Sequence, residues 1–278
     1  MIVLELLSAL VVAFYLVLKS RTEVRPGAYL AKMGALALAA WLAEETLIGA
    51  YGFWHHSRTS WSVFIDRVPL LVVLIWPVIL DSALSLSKHF VAPGDARTPL
   101  VVGALVLVDA SLIEPVAVKL GLWSWSVPGL FGVPPIGFLG WAVFAGVAAY
   151  FLARAERAWS GWAALRLIVA APLATHGLLF ALWWGGLRWR SAPVPEWPAT
   201  GIVLGLALTI AAVARIRLGR GAPMREIVAR IPGAALLYAC VALHAPGNAA
   251  FVAFSLGYAV LYVALTPWEA LSRARESR

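Results

Sequence analysis

The sequence predicts an all-α, polytopic membrane protein in which residues 1–278 form a single integral membrane domain. Three observations lead to this prediction: 62% of the 278 residues are hydrophobic, only 13% are charged, and the mean hydropathy is +0.85. A chain of this composition has too few polar side chains to cover a water-soluble surface. Its apolar runs also reach the roughly 20 residues that cross a bilayer as a helix.

Nine apolar segments divide the chain into about nine predicted transmembrane helices. The eighth segment is short for a span. The segments lie near residues 2–18, 28–50, 68–87, 99–118, 135–153, 161–184, 197–214, 228–244 and 248–265.

The basic residues predict the orientation of this bundle. With nine spans, 17 of the 22 Lys and Arg residues lie on or beside one face of the membrane. The positive-inside rule then places the N-terminus outside and the C-terminus in the cytoplasm. The net charge of +8 is therefore explained by cytoplasmic loops near anionic lipid, and no nucleic-acid partner is expected. The five basic residues on the opposite face are Arg58, Arg67, Lys119, Arg188 and Arg190.

One pattern of acidic, small and aromatic residues occurs twice, about at residues 40–80 and 109–145. This internal repeat predicts a duplicated helix-hairpin motif whose two copies are related by a pseudo-two-fold axis along the membrane normal. Membrane proteins often build one site at such a repeat interface. The matching positions are Glu45, Gly52, Trp54, His56, Val68, Pro69 and Trp76 in the first copy, and Glu114, Gly121, Trp123, Trp125, Val133, Pro134 and Trp141 in the second.

Several ionisable residues lie within or beside the predicted spans, toward the outer face. A charged side chain at mid-bilayer costs roughly 2.5 to 3.5 kcal/mol on insertion scales, so such residues usually have a structural or functional role. Glu44 and Asp81 are explained most simply by pairing with a neighbouring helix. No histidine spacing matches a metal motif, and the single cysteine adds no ligand cluster, so no metal site is predicted. The candidate catalytic residues are Glu114, Glu45, Asp109, His55 and His56.

The stretch EPVAVKLGLWSWSVPGLFGVPPIGFLGW, residues 114–141, resembles the signature of a bacterial and archaeal carotenoid biosynthesis family. This family contains the bisanhydrobacterioruberin hydratase-like membrane carotenoid hydratases. The likeness covers about residues 40–145. The sequence departs from the family pattern at Gly137, where Asn is usual, and at His55 and His56, where Tyr is more common. The matching residues are Glu114, Pro115, Gly121, Trp123, Trp125, Gly129, Phe131, Gly132, Val133, Pro134, Phe138, Gly140 and Trp141.

The resemblance implies a lyase that adds water across a terminal C=C of an acyclic carotenoid, with no cofactor. Burial favours the neutral form of a carboxyl group, so Glu114 or Glu45 is expected to protonate the alkene, with Asp109 as the next candidate. His55, His56 or the second carboxylate would orient water. Aromatic faces would stabilise the carbocation by about 2 kcal/mol or more each. The predicted substrate-binding residues are Trp54, Trp76, Trp123, Trp125, Phe138 and Trp141.

Two other functions remain open at this stage. A protonated end group can be captured by its own chain, so a lycopene-type end-group cyclase would use the same acids. A non-catalytic membrane scaffold or lipophile transporter is the alternative from another class. The expected partners are an isoprenoid or carotenoid substrate, membrane lipid and other enzymes of the carotenoid pathway. The expected location is the inner, cytoplasmic membrane of a bacterium or archaeon.

Overall fold

A computed structural model of the chain describes residues 2–92, 94–155, 159–190, 192–218, 224–245 and 247–265. Over these residues the chain is almost entirely helical, and its nine helices follow the predicted segments closely. They are α1 (Ile2–Ser20), α2 (Pro26–Tyr51), α3 (Leu70–Ser87), α4 (Thr98–Lys119), α5 (Pro135–Ala155), α6 (Gly161–Gly185), α7 (Glu196–Leu218), α8 (Met224–His244) and α9 (Ala249–Leu265).

Seven of these helices, α1 to α6 and α8, are long and apolar enough to cross a membrane. The prediction of an all-α polytopic fold is thereby confirmed, and the protein is an integral membrane protein. The centre of the bundle is formed by α2 to α6, with α2 packed on α3 and α6, and α5 packed on α4 and α6. Small side chains allow helices to approach closely, and several at the centre are fully buried, among them Ala110, Ala145, Ala148 and Ala149.

Two helices of the bundle end in left-handed glycines. Gly52, with a φ of 60°, directly follows α2, and Gly121, with a φ of 67°, follows α4 by two residues. Glycine adopts a positive φ at little steric cost, so the chain turns sharply at both places. Each turn leads into a three-residue strand, β1 (Trp54–His56) after α2 and β4 (Trp123–Trp125) after α4. A separate hairpin of β2 (Phe64–Ile65) and β3 (Val68–Pro69) leads into α3.

The strands β1 and β4 pair in an antiparallel ladder across the end of the bundle. Trp54 lies opposite Trp125, His55 opposite Ser124, and His56 opposite Trp123. Two equivalent strands related by a two-fold axis pair in this reciprocal way, with residue i opposite j and j opposite i. A pseudo-two-fold axis between the two predicted repeats would give a register of this reciprocal kind.

At the other end of the bundle, Asp81 of α3 is held by two tyrosines and a lysine. It accepts hydrogen bonds from the hydroxyls of Tyr15 at 3.0 Å and Tyr29 at 3.2 Å, and from Nζ of Lys32 at 3.3 Å. These partners come from α1 and α2, so the buried carboxylate is paired by neighbouring helices, as buried charges usually are. The group ties three helices together, and Asp81 lies five residues along α3 from Trp76.

Candidate active site

A narrow cavity lies where the strands β1 and β4 cover the ends of α2 and α4. Its volume is about 50 Å³, which is room for a few water molecules. The lining is mostly apolar, with aliphatic and aromatic side chains from α2, α3, α5 and α6. Its polar atoms come from two glutamates, one histidine and five tryptophans, which are Glu44, Glu114, His56, Trp54, Trp76, Trp123, Trp125 and Trp141.

Glu114 of α4 is surrounded by indole N–H donors. The side chain is buried, and Oε2 accepts hydrogen bonds from Nε1 of Trp123 at 2.9 Å and of Trp125 at 3.0 Å. Oε1 accepts a third, from Nε1 of Trp141 at 2.6 Å. Alternate residues of a strand share a face, which is why β4 can direct both of its tryptophans at one carboxyl group. An indole donates and does not accept, so each of these partners suits an ionised carboxylate.

Glu44 of α2 lies in the same cavity and has a different set of partners. Nε1 of Trp76 donates to Oε1 at 2.5 Å, and Nε2 of His56 lies 3.1 Å from Oε2. An imidazole carries a second ring nitrogen, which can give or take a proton. Among the residues that the structure describes, no hydrogen-bond partner reaches Nδ1 of His56, although this atom is buried.

The two carboxyl groups thus define two halves of the cavity. Trp76 and Trp141 stack on each other with ring centroids 4.2 Å apart at 27°, and each donates to the carboxyl group of its own half. His56 is the third residue of β1, as Trp125 is the third residue of β4. The indole rings of Trp54 and Trp125 pack with their centroids 5.2 Å apart. We call Glu44, His56 and Trp76 the first half-site, and Glu114, Trp123, Trp125 and Trp141 the second half-site.

Seven of the eleven residues predicted from sequence line this one cavity. The strands β1 and β4 and the helices α3, α4 and α5 contribute these residues, which therefore come together from distant parts of the chain. The seven are Glu114, His56, Trp54, Trp76, Trp123, Trp125 and Trp141.

Glu45, by contrast, lies on a different face of α2 from Glu44 and does not line the cavity. The backbone N–H of Arg67 donates to Oε2 of Glu45 at 2.9 Å, and the guanidinium pairs with Oε1. Gly49, one turn along, leaves room for this arginine, since a Cβ there would lie 3.2 Å from Nη1. The small residue on this face of α2, Gly49, therefore makes room for the side chain of Arg67.

The other three predicted residues also lie outside the cavity lining. Asp109 accepts hydrogen bonds at both carboxylate oxygens from the guanidinium of Arg230 on α8. His55 is exposed on the opposite side of β1, with Nε2 2.9 Å from Oγ of Ser124. Phe138 is half-buried near the start of α5, where neighbouring residues line the cavity in its place.

Glu44 is the functional candidate that sequence reasoning set aside. A signal for it exists, because Ala40, Ala43, Glu44 and Leu47 follow the i, i+3, i+4, i+7 spacing of one helix face, and all four line the cavity. The sequence favoured Glu45 instead, because Glu45 precedes Gly52 by the same number of residues as Glu114 precedes Gly121. This comparison is wrong by one residue because α2 stays helical up to Gly52, whereas α4 ends two residues before Gly121.

The family model described as carotenoid biosynthesis protein matches residues 1–208. This range includes both half-sites, the paired strands and helices α1 to α6, and it ends within α7. No curated protein and no solved structure matches the chain significantly. With three quarters of its length matched and its cavity inside the matched range, the chain belongs to the carotenoid biosynthesis protein family.

Proposed function

We propose that the protein is a carotenoid hydratase that adds water across a terminal C=C of an acyclic carotenoid. The observation that carries this proposal is the presence of two carboxyl groups, Glu44 and Glu114, in one apolar cavity walled by indole rings. The family places the chain in carotenoid biosynthesis, and the site supplies a reaction that fits an alkene substrate.

The reaction begins with proton transfer from a cavity carboxyl group to the trisubstituted alkene of the end group. Protonation of the less substituted carbon leaves a tertiary carbocation, the most stable cation that this alkene can form. A carboxyl group buried from water favours its neutral form, which is the form that donates. Positioned proton transfer of this kind contributes roughly 10² to 10⁴ in rate.

The cavity walls stabilise the carbocation once it has formed. Trp54, Trp76, Trp123, Trp125 and Trp141 all line the cavity, and an indole face attracts a desolvated cation by about 2 kcal/mol or more. The carboxyl group that has not donated a proton adds a fixed negative charge. Fixed charges of this kind are worth most in a dry site, because no solvent has to reorganise around them.

Water completes the reaction by forming a C–O bond at the cationic carbon and losing a proton. His56 is the lining group best suited to hold this water, since its ring carries a nitrogen not used by Glu44. A cyclase needs the same acid and the same aromatic faces, and a base that removes a proton from the ring cation, but it has no use for a water held beside the cation. His56 is therefore the feature that favours hydration over cyclisation.

The charge distribution supports an orientation in which the cavity faces the outer side of a bacterial or archaeal inner membrane. The loop that leads from β1 to α3 carries two of the five basic residues on that side, Arg58 and Arg67. The other 17 of the 22 Lys and Arg residues then lie on the cytoplasmic side with the C-terminus. We propose that the carotenoid enters from the lipid and that other enzymes of the pathway supply it.

Expression in a host that accumulates an acyclic carotenoid tests the proposal. We expect products heavier than the substrate by one water, or by two if both ends react. A double variant, Glu44→Gln with Glu114→Gln, should form none at equal protein content in the membrane. Glu196→Gln, at the exposed start of α7, is the matched control and should retain activity. Products of unchanged mass but different retention would mean cyclisation, and unchanged carotenoid would favour a scaffold or transporter.

A further inference from the structure

We propose that the two half-sites divide the hydration reaction between them. The Glu44–His56 pair transfers the proton and holds the reacting water, whereas Glu114 remains ionised and acts as the counter-charge of the carbocation. This inference rests on the proposed function and assigns the roles of the two carboxyl groups within it. It follows from what the hydrogen-bond partners of each carboxyl group are able to do.

The partners of Glu114 restrict it to accepting hydrogen bonds. All three are indole N–H groups, from Trp123, Trp125 and Trp141. A proton on Glu114 would find no acceptor among these partners, and none of them can replace a proton that Glu114 has lost. Three donors to one carboxylate also stabilise its charged form. The hydrogen-bond partners thus arrange Glu114 to act as an anion in the cavity.

The partners of Glu44 allow it to exchange a proton. Nε2 of His56 lies 3.1 Å from Oε2, close enough to pass a proton between the carboxyl group and the ring. His56 is 8% exposed, and Nδ1 is buried with no hydrogen-bond partner in the part of the chain that the structure describes. Buried polar atoms are nearly always paired with protein or with ordered water, so we expect this nitrogen to have a partner beyond the described residues.

A water molecule is the partner that fits. The cavity that His56 lines has a volume of about 50 Å³, and roughly 10 to 15 Å³ is enough to hold one water. The imidazole of His56 contacts the indole of Trp123, with ring centroids 5.6 Å apart and the two rings nearly perpendicular. The imidazole also lines the cavity that receives the cation. His56 is thus able to bind the nucleophile and to accept its proton.

The proton balance of this assignment closes within one turnover. The O–H bond of Glu44 breaks, a C–H bond forms on the alkene, and the π bond is lost, which leaves the tertiary cation. The oxygen of the water then forms the C–O bond, and one of its O–H bonds breaks as Nδ1 of His56 takes the proton. His56 begins in the tautomer that carries its proton on Nε2, so the imidazolium formed by this step passes its Nε2 proton to the Glu44 carboxylate. Proton exchange with cavity water then restores the starting tautomer, and the Glu44–His56 pair has lost one proton and regained one. Glu114 has the same charge throughout.

Reaction in D₂O separates the two steps, because protonation of the alkene leaves carbon-bound deuterium even when no water adds. In membranes with wild-type protein we expect hydrated product with deuterium on the neighbouring carbon. Glu44→Gln should lose both hydration and deuterium incorporation by about 10² or more. His56→Gln should lose hydration by a similar factor and still incorporate deuterium into recovered substrate. The matched control, His89→Gln at an exposed position after α3, should behave as wild type.

Two results would overturn the assignment. One is unreduced deuterium incorporation by Glu44→Gln, which would transfer the acid role to Glu114. The other is a His56→Gln variant that hydrates as fast as wild type, or that loses hydration and exchange equally. Glu44→Asp keeps an acidic proton and should regain part of the exchange, which separates loss of the acid from loss of the fold. A wild-type protein that makes no hydrated product would instead refute the proposed function itself.

Discussion

The two half-sites show how one hydrogen-bonding frame serves two different purposes. In each, a helix carries the carboxyl group and a tryptophan from the next helix donates to it, Trp76 of α3 in the first half-site and Trp141 of α5 in the second. The difference lies in the strands, where β4 supplies two indoles and β1 supplies His56. Because an indole only donates and an imidazole also accepts, a few residues in the strands separate a fixed anion from a proton-transfer pair.

The largest expected effect is on stability, from removal of the second carboxyl group. Glu114→Ala leaves three indole N–H groups without their acceptor, those of the buried Trp123 and Trp141 and of the half-buried Trp125. Each unsatisfied donor costs about 1 to 3 kcal/mol, so we expect a total loss of roughly 3 kcal/mol or more. Glu44→Ala should cost less, since it leaves two groups unpaired, the indole N–H of Trp76 and Nε2 of His56. Thermal unfolding in detergent measures both variants, and an equal or larger loss for Glu44→Ala would contradict the comparison.

A smaller effect comes from replacing each carboxyl group by an amide. In Glu114→Gln, the amide NH₂ has to face an indole N–H, because donors surround both oxygens of Glu114, and we expect a loss of about 1 to 3 kcal/mol. Glu44→Gln should lose less than about 1 kcal/mol, because Nε2 of His56 can accept from the new amide while Trp76 donates to its oxygen. The midpoints of denaturant unfolding for the two variants test this. Similar midpoints would mean that Nε2 of His56 does not accept a hydrogen bond from the new amide.

The packing of the second half-site offers a further test. A Cβ at Gly137 would lie 2.8 Å from Cζ2 of Trp125, closer than packed atoms can approach. Gly137→Ala should therefore displace the indole from Glu114, with a loss of about 1 to 2 kcal/mol in stability. Gly177→Ala, on α6 with no atom within 4 Å of its Cβ, is the matched control and should be neutral or slightly stabilising. Equal stability of both variants would show that Trp125 has room to move.

The smallest effect is expected at Glu45, next to Glu44 in the sequence. Its partner Arg67 has a side chain that is 51% exposed, and such ion pairs contribute about 0 to 1 kcal/mol. Glu45→Gln should lower stability by no more than that, as measured by thermal unfolding at low salt. A loss above about 2 kcal/mol would show that the Glu45–Arg67 pair is a major support of the hairpin that leads into α3.

The sequence predicted the helices and most of the cavity because both leave strong local signals. Apolar segments of bilayer length marked the helices, and the repeated tryptophan spacing marked Trp54, Trp76, Trp123, Trp125 and Trp141. It did not distinguish Glu44 from Glu45, since neighbouring helical residues point about 100° apart and one residue of helix length at Gly52 decides which faces inward.

The pairing of β1 with β4 also could not be predicted from the sequence. Three-residue strands carry too little periodicity to be detected, and their pairing joins segments about 70 residues apart. Without that pairing, nothing distinguished His56, which lines the cavity, from His55, which is exposed on the other side of the same strand. Tertiary contacts therefore decided which of two adjacent residues belongs to the site, in β1 as in α2.

The rate of hydration by Glu44→Gln relative to Glu45→Gln is the most direct test of the account. The two variants differ by one position, remove the same charge and are compared at equal protein content in the same membranes. If the cavity is the active site and Glu44 supplies the proton, Glu44→Gln should be slower by at least about 10², with Glu45→Gln within a few-fold of wild type. Equal rates, or a slower Glu45→Gln, would contradict the assignment of the chemistry to this cavity.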